Sequence, residues 1–227
     1  MCGRFTLTTD TRQLAETFSG YAVPDELAPR YNIAPSQAVA VIANNGQQKI
    51  ELFQWGLIPS WAKDPQIGNR LINARAETLA DKPSFKTAYK RRRCLILADG
   101  FYEWQQAAGS KTKTPVYIRL ASGEPFAFAG LWESWRGPED SHILSCTIIT
   151  TMPNELLAQI HNRMPVILPP TVYEQWLDPT ERSPEQLNGL LTPYPATEMT
   201  AHPVSKLVNS PQNDTPECVK PLPTLYE

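Results

Sequence analysis

The sequence predicts an α+β fold: a single domain over residues 1–227, built on a mainly antiparallel, barrel-like β-sheet flanked by short helices. Three observations predict it. Strand-like and helix-like segments interleave irregularly, without a βαβ rhythm or an internal repeat. Proline accounts for 22 of 227 residues and is spread along the chain, which marks many ordered turns rather than one floppy linker. No Pro/Gly/Ser-rich stretch divides the chain.

The first element is a short helix over Thr8–Phe18, with Leu14 and Phe18 on one face and Gly20 beyond its end. AVAVIAN (38–44) and QKIELFQ (48–54) flank Asn45-Gly46, the strongest hairpin signal in the chain. Apolar, β-branched runs predict strands at CLILAD (94–99), PVYIRL (115–120), FAFAGLW (126–132) and LSCTIIT (144–150). FYEWQQ (101–106) leads into a turn at Gly109–Ser110. Helices are predicted over Asn154–Ile160, Thr171–Leu177 and Pro184–Leu191. The last has Ser183 as N-cap, Pro184 at N1 and Gln186 completing a capping box.

Composition narrows the function classes. Hydrophobic residues make up 41% and charged residues 19%, too apolar for a disordered tail and too polar for a membrane protein. No apolar run reaches membrane-spanning length, and MCGRF shows no basic segment leading into an apolar one. A soluble, cytoplasmic protein is expected. Its four cysteines form no CxxC pair and its three histidines no HExxH, so neither a metal nor another cofactor is expected.

Net charge is −2, but it is unevenly placed. Residues 61–120 carry +7 and residues 121–227 carry −8. The basic island centres on Lys86, Lys90, Arg91, Arg92 and Arg93. Such a run either holds a polyanion or forms a solvated helix face. Aromatic residues interleave with it: Trp55, Trp61, Phe101, Tyr102 and Trp104. Aromatic faces beside cations suit single-stranded nucleic acid. Most of these rings are expected in the core, with Trp61 at the surface.

Cys2 is the residue of greatest chemical interest. Removal of Met1 would leave it with a free α-amine of ordinary pKa ~7.7–8.0 beside a thiol of ~8.5. Two chemistries follow. The thiolate can attack an acyl carbon with the amine as base. Alternatively, the amine condenses with an aldehyde and the thiol closes on the imine, giving a thiazolidine. Read alone, a cysteine at this position is more often just the second residue of a chain or a small buried hydrophobe.

Either chemistry needs a proton shuttle. Glu103, between Tyr102 and Trp104 after an apolar strand, is the candidate carboxyl group, where burial would raise its pKa; an outward-facing strand carboxylate is the plainer alternative. His161 follows a predicted helix, a loop position that suits a catalytic imidazole or a helix cap. Asn73, Arg75 and Glu77 alternate in NARAE, so they share one face if the segment is extended. That face offers an amide for a reactive centre and a guanidinium for phosphate, unless Arg75 and Glu77 simply pair with each other.

Taken together, these segments resemble the SOS-response-associated peptidase family of abasic-site processing proteins. The matching stretches are Cys2-Gly-Arg-Phe5, Arg30-Tyr-Asn-Ile-Ala-Pro35, Trp55-Gly-Leu-Ile-Pro-Ser-Trp61, Asn73-Ala-Arg-Ala-Glu77 and Asp99-Gly-Phe-Tyr-Glu-Trp104. They continue through Ala129-Gly-Leu-Trp132, His161-Asn-Arg-Met-Pro165 and His202-Pro-Val-Ser205 to Asn209 and Cys218. The resemblance implies a protein that binds single-stranded DNA and captures the ring-opened aldehyde of an abasic site as a thiazolidine crosslink at Cys2. It implies that Asn73 positions the reactive centre and that Glu103 and His161 form the acid/base pair. Arg4, Arg75 and Arg163 match arginines that hold phosphates, while Pro35 and Trp61 match residues near splayed DNA. It also implies autoproteolytic release of Met1, crosslink reversal or lyase-type chemistry, and a single α+β domain around a barrel-like sheet.

Single-stranded DNA with abasic sites is therefore the expected partner, met by a monomer in the cytoplasm at damaged nucleoid DNA. Two alternatives stay open. An N-terminal-nucleophile amidohydrolase shares the Met-Cys-Gly start but would need later His-Arg-Gly and Asn-Gly-Glu type elements that this sequence lacks. A non-catalytic nucleic-acid-binding module would rest on the Lys86–Arg93 island, with salt-sensitive binding indifferent to Cys2.

Overall fold

A computed structural model describes residues 2–106, 109, 112–138 and 141–223. Its strands are β1 (Arg4–Leu7), β2 (Arg30–Ile33), β3 (Ala38–Ala43), β4 (Ile50–Trp55), β5 (Asn73–Arg75), β6 (Arg93–Ala98) and β7 (Gly100–Gln106). They continue with β8 (Lys113–Leu120), β9 (Phe126–Arg136), β10 (His142–Thr151), β11 (Met164–Pro165), β12 (Ile167–Leu168) and β13 (Met199–Pro203). The helices are short: α1 (Thr11–Thr17), α2 (Lys86–Arg91), α3 (Glu155–Ala158), α4 (Tyr173–Leu177) and α5 (Pro184–Asn188). The α+β class and the barrel are as the sequence predicts.

β10, β4, β3, β6 and β9 pair in a ring that closes when β9 meets β10 again. Closure removes the free edges an open sheet would expose. Every pairing in the ring is antiparallel except β4 with β10, which run parallel from Ser145 opposite Gln54 to Cys146 opposite Trp55. β5 then takes over alongside β10, also parallel, with Asn73 opposite Ile148. A second, wholly antiparallel sheet runs in the order β2-β1-β7-β8-β13.

The two sheets share one stretch of chain. All six residues of β6 are buried, and β6 passes through Asp99 directly into β7. The Asp99 carboxylate ties this corner down by accepting from the Thr6 hydroxyl and from the Thr8 and Thr9 amides. Gly100 is needed there because a Cβ would stand 2.1 Å from the Tyr117 hydroxyl. Phe5 packs edge-on against Trp55 and Phe128, with ring centroids 5.1 and 5.7 Å away, so the first strand is locked into the core. Of the interleaved aromatics, Trp55, Phe101 and Tyr102 are fully buried, whereas Trp61 is 59% exposed, as expected.

The differences from the sequence reading have local causes. Asp99 takes the amides of Thr8 and Thr9, so α1 begins at Thr11, with Asp10 as its N-cap on the Gln13 amide. β3 and β4 form the predicted hairpin, but residues 44–49 make a longer loop in which Gly46 and Gln48 both have positive φ. Residues 170–172 form a 3-10 turn before α4, and α5 carries the predicted capping box. Gly109 has the positive φ of a turn; Ser110 lies outside the described residues, as does Met1.

The basic island divides between a solvated helix face on α2 and cations drawn into the fold, which the sequence reading did not foresee. Arg93 is fully buried and donates to the carbonyls of Tyr89, Lys90, Trp176, Asp178 and Thr180. Arg92 pairs with the buried Glu133, and Arg91 with Glu181 at 2.8 Å. A fully desolvated guanidinium needs such partners. Arg92 and Arg93 are thus taken up by the fold, whereas Lys86 and Arg91 remain exposed on α2.

No helix among the described residues is long and apolar enough to cross a membrane.

Candidate active site

The site forms where β1 begins. Cys2 is fully buried, and its thiol lies 3.8 Å from the Arg4 carbonyl. Its own carbonyl accepts a 2.8 Å hydrogen bond from Asn73 Nδ2. Asn73 opens β5, and the parallel pairing with β10 holds it in place. The Asn73 Oδ1 is buried and has no hydrogen-bond partner among the described residues. An amide oxygen left in that state loses its hydration without compensation, unless a ligand supplies a donor.

Glu103 comes from β7, opposite Val116. Strand alternation puts it on the same face as Phe101, which points into the core. It is therefore 2% exposed. Burial pushes its carboxyl group above the ordinary range, an effect partly opposed by His161.

His161 follows α3 and is fixed by its amide, which donates to the Leu157 carbonyl at 2.7 Å. Its Nδ1 accepts from the Arg163 amide at 3.1 Å. Nδ1 also lies 3.3 Å from the Arg163 carbonyl, and Nε2 on the other side of the ring faces Glu103 Oε2 at 4.0 Å. Burial, reinforced by the charge of Glu103, pushes the Cys2 thiol well above its ordinary range.

Arg163 is 9% exposed and grips Glu77 through two bonds of 2.6 and 2.9 Å, and the Thr150 carbonyl at 2.6 Å. Glu77's carboxyl group is consequently held below the ordinary range, chiefly by the hydrogen bonds from Arg163. The face proposed for Asn73, Arg75 and Glu77 does not persist. β5 ends at Arg75, and a 3-10 turn over Ala76–Thr78 carries Glu77 to Arg163. Arg75 is left exposed at the strand end.

Arg4 is engaged by protein groups, donating to Asn32 Oδ1 and to the carbonyls of Val208 and Asn209. Pro35 is half-buried in the turn after β2. Trp61 borders a hollow of about 370 Å³ with Lys63 and Arg70.

The structure thus brings Cys2, Asn73, Glu103 and His161 together and attaches Arg163 through the His161 loop. Pro35 and Trp61 sit on separate turns. Sequence reasoning missed Asn32, which is fully buried and bonded to three backbone carbonyls. A lone amide inside the otherwise apolar Tyr31–Ala34 run was the available signal.

Fold and site define a closed β-barrel protein in which the second residue, a cysteine, lies buried between an amide and a Glu–His pair. The chain belongs to the SRAP (SOS response associated peptidase) family, whose model matches residues 1–211. It is 49% identical over 223 residues to the abasic site processing protein YoqW of Bacillus subtilis, covering 97% of this chain and 99% of that protein. It is 34% identical to the abasic site processing protein HMCES of Rattus norvegicus, covering 90% and 68% of the two chains. A crystal structure of a protein from Bacteroides thetaiotaomicron superposes with a TM-score of 0.87 at 26% identity, covering 97% of this chain and all of the other.

Proposed function

We propose that the protein processes abasic sites in single-stranded DNA by capturing the sugar aldehyde at Cys2. The observation that carries this reading is the convergence of the buried Cys2 and Glu103 with the half-buried Asn73 and His161. Met1 must first be removed by hydrolysis of the Met1–Cys2 bond, an autoproteolytic step in this reading. The freed α-amine then attacks C1 of the ring-opened deoxyribose. A C–N bond forms, the hydroxyl leaves as water, and an imine results. The Cys2 sulfur adds to the imine carbon, and the thiol proton passes to the nitrogen, closing the thiazolidine.

Each residue has a task that its surroundings support. Burial keeps part of the Glu103 population protonated nearer neutrality, so it can give a proton to the departing oxygen. His161 exchanges that proton with solvent. The Asn73 Oδ1 accepts from the incoming amine or sugar hydroxyl, which would satisfy it. Burial of the Cys2 thiol suits an order in which the amine attacks first and the thiol follows.

Because the lesion lacks a base, recognition falls on phosphates and flanking bases. Arg75 is the exposed guanidinium beside the site. Arg4 and Arg163 add positive charge while holding protein groups. Trp61 and Pro35 offer surfaces for flanking bases. Opening the crosslink reverses these steps, and an imine left untrapped proceeds to β-elimination, a lyase outcome.

The test is the intact mass of the protein, Met1 confirmed absent, before and after incubation with single-stranded DNA carrying one abasic site. The expected product is protein plus oligonucleotide less one water, absent in Cys2→Ala. A Met-less wild-type protein that forms no adduct would falsify the reading, and glutaminase activity in its place would favour the amidohydrolase.

A further inference from the structure

The strand pairing that should fix Cys2 against Glu103 stops just short of both. The ladder between β1 and β7 runs from Thr6 opposite Gly100 to Arg4 opposite Tyr102, and Cys2 and Glu103 lie beyond that last pair. On its other edge β7 is secured by β8, with Glu103 opposite Val116.

A segment from the far end of the chain reaches both strands at this point. Residues Lys206–Asn209 form a 3-10 turn after β13. The Asn209 carbonyl accepts from Arg4 Nη2 at 3.1 Å, and the Asn209 side-chain Oδ1 accepts from the Trp104 indole N–H at 2.8 Å. Arg4 is two residues past Cys2, and Trp104 directly follows Glu103. One residue therefore clasps both strands immediately next to the reactive pair. The clasp is itself anchored. Arg4 Nη1 bonds Asn32 Oδ1 at 2.8 Å and the Val208 carbonyl at 2.7 Å. Asn32 Nδ2 donates to the carbonyls of Val208, Ser210 and Asn213.

We propose that Asn209 is a positioning residue for the chemistry at Cys2: by receiving Arg4 and Trp104 together, it sets the separation of Cys2 from Glu103. The assignment rests on the aldehyde-capture reading above. Proton transfer requires donor and acceptor within about 3.2 Å, and a displacement of ~1 Å can cost up to ~100-fold in rate. Asn209 bonds one residue near each member of the pair, so a shift of its side chain would be passed to both strands.

The experiment compares Asn209→Leu with Asn209→Asp, using a fluorescent single-stranded oligonucleotide with one abasic site. Leucine keeps the size and the backbone carbonyl but removes the acceptor for Trp104; aspartate keeps the acceptor. Asn209→Leu should crosslink about tenfold more slowly at saturating DNA, with unchanged DNA affinity and melting temperature. Asn209→Asp should stay within about threefold of wild type. An Asn209→Leu protein at the wild-type rate overturns the assignment. So does an Asn209→Asp protein as slow as Asn209→Leu, or a slowed rate accompanied by equal losses of affinity and stability. If Asn209→Leu does not fold, Trp104→Phe removes the same bond from the donor side and its rate decides. A Met-less wild-type protein that forms no adduct overturns the aldehyde-capture reading itself; a crosslinking wild type beside an unimpaired Asn209→Leu overturns only the role of Asn209.

Discussion

Two polar regions of this protein look equally promising in the sequence and differ sharply in the fold. In the basic island, Arg91, Arg92 and Arg93 each have carboxylate or carbonyl partners. At the start of β1, the Asn73 Oδ1 is buried without a partner among the described residues, and a carboxyl group is buried close to an imidazole. The contrast teaches that a count of charges does not measure charge available to a ligand. Satisfied polar groups stabilise the fold; a buried acceptor without a partner, as the Asn73 Oδ1 is among the described residues, is a candidate point of contact for a ligand.

The comparison breaks most visibly at Glu103. Glu103→Gln should slow crosslinking by about 100-fold or more, the usual contribution of a general acid, with DNA affinity unchanged. The same substitution should raise stability. Because Glu103's native pKa lies above its ordinary value of 4.5, the native state binds more protons than the unfolded state as pH rises from that value. Stability therefore falls as pH rises through the native pKa. Glu103→Gln should melt higher than wild type at pH 8, at roughly 2–4 °C per kcal/mol relieved, and the gain should vanish below pH 4.5. A melting temperature lowered at pH 8 would make Glu103 a structural carboxylate.

Arg163 lies between the two kinds of region, since it grips Glu77 and also carries the amide that orients His161. Arg163→Ala removes the side-chain pair and leaves that amide. With Arg163 buried and Glu77 about half exposed, the loss should be about 2 kcal/mol, between the values for surface and buried pairs. Glu77's pKa is depressed, so this stabilisation is fully present above its ordinary 4.5 and is lost as pH falls through the native value. Urea titrations of wild type and Arg163→Ala should differ at pH 7 and converge in acid. A gap that persists in acid would assign the stabilisation to packing.

How much of this could be read from the sequence depended on how local the cause was. β6, β9 and β10 are long apolar runs, and β3–β4 is a hairpin with its own turn signal, so all were legible. β1, β2, β5 and β13 span five residues or fewer, and β1 and β5 find partners far away in the chain. Their pairing depends on a register that no short window contains. The parallel β4–β10 contact that closes the barrel is invisible for the same reason. The site divides similarly. Residue chemistry singled out Cys2, with Glu103 and His161 as candidates, and the family resemblance supplied their roles. Glu77 pairs with Arg163 rather than Arg75 because a 3-10 turn begins at Ala76, and nothing in NARAE marks that turn.

The smallest expected effects provide the most direct test of the contrast between the regions. Arg75 is exposed at the end of β5, two residues from Asn73; Arg91 is equally cationic but bonded to Glu181 through both Nε and Nη2, at 3.0 and 2.8 Å. Each phosphate neutralised on a single strand contributes about 0.7 to the slope of log affinity against log salt. Arg75→Ala should weaken binding several-fold at low salt and flatten that slope by about 0.7. Arg91→Ala should leave both affinity and slope unchanged, because the Arg91 charge is already balanced within the protein. Fluorescence anisotropy over a salt series measures both. An Arg91→Ala slope that falls as far as that of Arg75→Ala would mean DNA displaces Glu181, and ion pairing in the free protein would then be a poor guide to which cations meet phosphate.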